Sequence, residues 1–288
     1  MERRFAWVLN FDAEDELASP VARKTASAAM IARHASLVDR LIGLVAPEDV
    51  VVRDGVDARG LMGRAWCPTP TALAQMKRAG AEAPRAPSLE ILRRANDRAF
   101  SAALGQTLPG ASLATSRDEV ERVVASGPGD WLLKRAFGYA GRGRRKVHAG
   151  PLSEADARWV EASFRQGALQ IERWVLRLAD FALHGYVDER GSLRLGDATT
   201  QRCDAYGAWQ STELARDDEL LRDEATALTR EASLAAAGLH ACGYFGPFGV
   251  DAYRWRDEET GDEHFNPRSE INARYSMGWG IGMRGWRG

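Results

Sequence analysis

In the run FNPRSEINARYSMGWGIG, Glu270, Asn272 and Arg274 fall at alternate positions. Alternate residues of a strand share one face. A carboxylate and an amide offer hard oxygen ligands of the kind magnesium takes together with substrate phosphates. Asp251 lies in the preceding strand-like run FGVDAY, and antiparallel pairing would bring it beside Glu270. Two carboxylates and an amide near phosphate-binding groups would make a magnesium–nucleotide site. The same alternation suits the solvated polar face of an edge strand, and these residues alone leave both readings open.

The run LLKRAFGYAGRGRRKV supplies the complementary chemistry. Lys134 ends an apolar strand, and Gly138, Gly141 and Gly143 follow within nine residues. Glycines let backbone N–H groups approach an anion closely, and a lysine adds a point charge to the same phosphates. The loop joins two strands, so it is neither a P-loop nor a dinucleotide-binding turn. A pliable basic hairpin loop is the plainer alternative. QIERWV places Glu172 at the end of another apolar strand, followed by Trp174 and Val175. Such a segment lines a purine slot or simply ends in solvent.

These residues need a scaffold. RFAWVLN and DVVVRDG read as strands flanking a helix over 25–44, a small parallel α/β unit. A helix starts after Pro70 and stops at Gly80; the Pro- and Gly-rich residues 80–87 connect it to a helix over 88–104. Ser116 with Glu119 marks a capped helix, and Ser153 with Gly167 brackets another. DFALHGYVDERGSLRLGDATT is a hairpin, 217–239 the longest helix, and two further strands meet at RDEETGDE.

Composition narrows the classes. With 288 residues, 45% hydrophobic and a net charge of −1, the chain can build a sizeable core and has no excess charge for nucleic acid. Three scattered cysteines suggest neither a zinc site nor a disulfide framework. The N-terminal run turns acidic too soon for a signal peptide, and no stretch approaches the about 20 apolar residues of a membrane span. A cytoplasmic protein is expected, with no membrane or nucleic-acid partner. The five histidines are scattered, and no Ser-His-Asp or Cys-His set competes.

Taken in order, Lys134, the glycine loop, ERWV, Asp251 and SEINARYSMG resemble the ATP-grasp superfamily over residues 95–278. The resemblance implies an α/β (α+β) fold in which two α+β subdomains grip the nucleotide. Residues 1–90 would be a small α/β pre-ATP-grasp domain and 91–288 the grasp. Within the grasp, about 112–172 would be the ATP-binding subdomain and 173–288 the metal-binding one. It implies ATP and two Mg2+ as cofactors, with Asp251, Glu270 and Asn272 as metal ligands. Lys134, Arg98 and the loop glycines would hold phosphates; Glu172, Trp174 and Val175 would form the adenine hinge, and Asp180 would lie near the ribose. Arg274, as in biotin carboxylase-like members, would face the reacting acyl phosphate.

Three positions depart from the family pattern. Arg98, in ANDRAF, stands where a lysine is usual. The Asp251–Glu270 hairpin is long. Gly249 replaces the arginine of D-alanine ligase-like members, so any oxyanion role passes to Arg274, Arg268 or another basic residue, and ligation of a D-amino acid is not expected. The implied activity is ligation of a carboxylate on a small molecule or peptide to an amine, by a monomer or homodimer. A phosphotransferase or a nucleotide-binding module without turnover are the alternatives. TTQRCDAYGAWQST, with Arg202, Asp204, Tyr206 and Trp209, faces the acceptor substrate or forms a surface loop. Trp279 and Trp286 pack on the body, line the site or belong to a loose tail.

Overall fold

A computed structural model describes residues 4–19, 37–38, 40–41, 43–139, 141–203 and 209–286. These residues form three sheets. In the first, β1 (Phe5–Val8) lies between β2 (Val50–Val51) and β3 (Met62–Ala65), both parallel to it. All four β1 side chains are buried, as a central parallel strand requires. The third strand, MGRA, lacks the alternation that would mark it in the sequence. Helix α1 (Ala13–Ala18) follows β1, and α2 (Pro70–Arg78) opens on its proline. The helix expected over 25–44 falls mainly outside the described residues.

Instead of one helix over 88–104 there are two, α3 (Leu89–Asn96) and α4 (Arg98–Ala103). Asp97 separates them. It is extended (ψ 134°), and its carboxylate accepts from the Ala99 N–H at 2.8 Å, capping α4. The break directs the Arg98 N–H to the Ala136 carbonyl at 3.2 Å and brings the Arg98 side chain to a cleft.

The second sheet is antiparallel, ordered β4 (Ser112–Ala114), β7 (Leu169–Arg173), β5 (Asp130–Lys134), β6 (Arg144–His148). It has its own core, with Val120 and Val124 of α5 (Arg117–Val124) and Val160 of α6 (Glu154–Ser163) packed on Trp131, Leu133 and Ile171. Ser116 and Ser153 cap these helices by accepting from Glu119 and Asp156 N–H groups.

The third sheet is also antiparallel, ordered β10 (Trp209–Leu214), β9 (Leu193–Cys203), β8 (Leu176–Val187), β11 (Gly246–Arg256), β12 (Glu263–Asn272). Phe181, Leu183, Phe248, Val250 and Ile271 join the large core that includes Leu228, Ala232 and Leu239 of α7 (Arg222–Ala241). The alternate residues, Asp180, Gln201, Asp251 and Glu270, line the cleft. β10 was expected as part of a loop.

The glycine-rich C-terminal run packs on this sheet through α8 (Trp279–Gly282). Trp279 is buried, donates from its indole to the Gly185 carbonyl, and meets Tyr275 and Trp286 edge-on at 4.8 and 5.6 Å. Close approach explains the glycines. A Cβ on Gly196 would stand 2.2 Å from the Gly282 carbonyl oxygen. Beneath α8 lies His184, 1% exposed, whose pKa is lowered to about 4 by burial.

Gly196→Ala is therefore expected to cost about 1–3 kcal/mol in denaturant unfolding, because the clash is with backbone; an unchanged midpoint would contradict the packing. His184 sets an acid dependence. The unfolded chain takes up the proton between pH 6.5 and about 4 and the folded chain does not, so stability falls with pH across that window. Between pH 7 and 5 the unfolding free energy should drop by about 2 kcal/mol more in the wild type than in His184→Asn.

Candidate active site

Between the second and third sheets lies a cleft of about 1120 Å³. Among its described lining residues, ten are Lys or Arg and five are Asp or Glu, an imbalance that suits a polyanion. Arg98, Lys134, Gly138, Gly141, Glu172, Trp174, Val175, Asp180, Asp251, Glu270, Asn272 and Arg274 all line it. Gly143 does not. Its carbonyl accepts from the Arg135 N–H at 2.8 Å, and its φ of 76° closes the base of the loop. It shapes the base of the glycine loop.

Antiparallel register sets Asp251 directly opposite Glu270, and Gly249 opposite Asn272. Asn272 and Gln201 donate to the two Asp251 oxygens at 3.0 and 3.1 Å. Burial and then the neighbouring Glu270 charge raise the Asp251 pKa to about 6. Burial also works to raise Glu270, but Arg98 and Lys134 outweigh it and hold that carboxyl below its usual range. Arg98 contacts Glu270 at 3.0 Å and donates from Nε to the Arg135 carbonyl at 2.9 Å. Its buried Nη1 has no partner among the described residues. Two carboxylates and an amide, all oxygen donors, fit magnesium completed by phosphate and water. Among the described residues no three His, Cys, Asp or Glu side chains converge.

Lys134 and Glu172 form a buried pair at 2.5 Å. Burial lowers the Lys134 pKa, Glu172 counters it, and Arg98 adds to it. An anion at this point would favour the ammonium further. Glu172 is thus not in solvent: one of its oxygens is held by Lys134, and the residue lines the cleft. The hinge also differs from expectation at Trp174. Its N–H is committed to the Asp130 carbonyl at 2.9 Å, and its ring, 45% exposed, carries Lys146 at 4.4 Å. Among the described residues, the Val175 N–H donates to no backbone carbonyl. Asp180 lines the cleft, but Arg177 holds its carboxylate at 3.0 Å.

Arg274 reaches the cleft by a different route from the one its spacing implied. β12 ends at Asn272, and a tight turn follows, with the Arg274 N–H on the Asn272 carbonyl at 2.9 Å. Asn96 grips Ala273 from both sides, accepting its N–H at 2.9 Å and donating to its carbonyl at 3.3 Å. Glu14 of α1 then takes the guanidinium at 2.5 Å. Burial raises the Glu14 pKa, with Arg274 opposing. Arg268 is excluded from the cleft chemistry: Glu231, Ser101 and Gly105 take its donors. Arg202 and Trp209 do line the cleft, Arg202 paired with Glu219 at 2.5 Å, whereas Asp204 and Tyr206 lie outside the described residues.

No family model matches the sequence, and no curated protein is significantly similar to it. Solved structures are similar in fold. Biotin carboxylase from Campylobacter jejuni, in a β,γ-ATP complex, superposes with a TM-score of 0.55 at 14% identity, over 94% of this chain and 65% of that one. D-alanyl-alanine synthetase A from Vibrio cholerae O1 biovar eltor gives 0.53 at 13%, over 95% and 89%. N5-carboxyaminoimidazole synthetase from Staphylococcus aureus, complexed with ADP, gives 0.51 at 12%, over 95% and 72%.

The fold is the ATP-grasp fold. In ATP-grasp terms, the cleft lies between the two sheets that grip. Glu14, Asn96 and Gln201 were not singled out in the sequence: Gln201 lines the cleft, and Glu14 and Asn96 hold Arg274 and Ala273 from segments far away along the chain. The Asp97 cap that turns Arg98 inward was legible in principle, since Asn-Asp within a helix pattern is a capping signal.

The opposed carboxylates predict a trade of stability for binding. Asp251→Asn relieves the repulsion with Glu270 and should stabilise the magnesium-free protein by about 1–2 kcal/mol in denaturant unfolding. It should also weaken magnesium-dependent ADP binding in calorimetry. Destabilisation with undiminished binding would contradict the assignment.

Proposed function

We propose that the protein is an ATP-dependent ligase that joins a carboxylate to an amine through an acyl phosphate, releasing ADP and phosphate. The observation that carries this reading is the Asp251–Glu270 pair, set in a cleft whose other charges are mostly basic. Three similar folds support the reaction class by name: a carboxylase and two synthetases, one complexed with ADP.

The work is positioning and charge neutralisation, without a protein nucleophile. Asp251, Glu270 and Asn272 would hold two magnesium ions, which neutralise phosphate charge when bound. Lys134 and Arg98 hold phosphate oxygens. Val175 offers its N–H to the adenine edge, while Trp174, Leu176 and Leu178 supply apolar surface around the ring. The glycine loop at Gly138 and Gly141 shields the acyl phosphate from water. Arg274 stabilises the negative charge that develops on the transferred group. The substrate is a small molecule or peptide bearing the carboxylate. Among the described residues, no helix is long and apolar enough to cross a membrane.

Hydroxylamine trapping tests the acyl phosphate without knowledge of the amine. With Mg-ATP and a panel of carboxylates, one substrate should yield a hydroxamate with equal ADP and phosphate. Glu270→Gln should lower that rate on the order of 100-fold. Unchanged turnover would remove Glu270 from the metal site. A stable phosphorylated product without free phosphate would make the protein a phosphotransferase, and ADP binding without turnover on any carboxylate would make it a binding module.

A further inference from the structure

We infer that Glu14 is the positioning residue for Arg274, so that α1 of the N-terminal α/β unit sets the guanidinium at the reacting group. The inference rests on the role given to Arg274 above. The two residues are 260 positions apart in sequence and form one buried pair, with side chains 6% and 9% exposed. Arg274 Nε donates to Glu14 Oε1 at 2.5 Å, Nη2 contacts the same oxygen, and Nη1 donates to the Tyr275 carbonyl at 3.0 Å. A guanidinium carries five N–H donors in a fixed fork. Three are taken, and one on each Nη is left for a ligand in the cleft that Arg274 lines.

Stability explains this pair poorly. Buried ion pairs contribute little net free energy. Glu14 Oε2 is buried with no partner among the described residues, a net cost to the fold. Orientation explains it better. Arg274 sits in a bend past the end of β12, and without Glu14 the Tyr275 carbonyl is the one acceptor left among the described residues to fix its long side chain.

The support is itself anchored. Arg93 donates to the Leu17 carbonyl, and Glu16 accepts from the Thr71 N–H at 3.1 Å. Next to Glu14, Asp15 accepts from the Tyr139 hydroxyl of the glycine loop at 3.3 Å. Adjacent residues of α1 thus touch Arg274 and the loop that covers the phosphates.

The test compares binding of Mg-ADP with binding of inorganic phosphate to the Mg-ADP complex, by calorimetry. Arg274→Ala and Glu14→Ala should each weaken phosphate binding about tenfold or more and leave Mg-ADP affinity within about twofold, as expected for loss of an oriented charge-assisted contact. Glu14→Gln keeps an acceptor without the charge and should restore part of the loss; it also serves if the alanine variant does not fold. Undiminished phosphate binding in both Glu14 variants, with Arg274→Ala impaired, would overturn the positioning role alone. Undiminished binding in Arg274→Ala would overturn the role of Arg274 and this inference with it. A parallel loss of Mg-ADP affinity would mark Glu14 as merely structural.

Discussion

Asp251 and Glu270 face each other across two hydrogen-bonded strands, partly withdrawn from water. Like charges so placed repel, and the surrounding residues are arranged around that repulsion. Glu270 has Arg98 in contact and Lys134 in its field. Asp251 has two amides, and its pKa climbs to about 6. The residual mismatch is local: among the described residues one acid has no cation in contact, while the lining of the cleft is mostly basic. A divalent cation shared with phosphates matches both.

The other site residues follow from holding charge out of water in defined places. Lys134 pairs with Glu172, Arg98 with Glu270, Arg274 with Glu14. Such pairs add little stability, since desolvation offsets attraction; their effect is to fix the direction of each cation. The second sheet, which carries Lys134 and Glu172, has a core separate from the large one beneath the third sheet. Each wall of the cleft is therefore packed on its own terms, and the Arg98 side chain touches both, contacting Glu270 of β12 and donating to the Arg135 carbonyl just past β5. At Gly249, where D-alanine ligase-like members carry an arginine, a Cβ would lie 3.2 Å from the His184 ring, a tight contact.

Much of this was legible because it is local. Alternation in SEIN gave the cleft-facing side of β12, serine followed by an acid gave two helix starts, and an apolar run ending in lysine gave β5. Legibility failed where local signals were weak or misleading. β3 lacks a period, and β10 is polar enough to pass for a loop. Asp97 looked like one residue of a continuous helix. Arg274 keeps the two-residue spacing of its neighbours but leaves the strand before reaching its place. Trp174 was read as part of an adenine hinge, but its N–H belongs to the Asp130 carbonyl.

By itself, then, the sequence determined which residue types stand in which order along the chain, and with them the strand faces, caps and turns that depend on neighbours a few positions away. It also carried the order of motifs that pointed to the ATP-grasp fold. The tertiary structure decided which charge meets which. Glu172 goes to Lys134, Glu14 to Arg274, Asn96 to Ala273, and Arg268 away from the cleft to Glu231. Those pairings join segments up to 260 residues apart. They are selected by burial, because a desolvated charge must find the partner the packed chain brings within reach, and no spacing in the sequence encodes that distance.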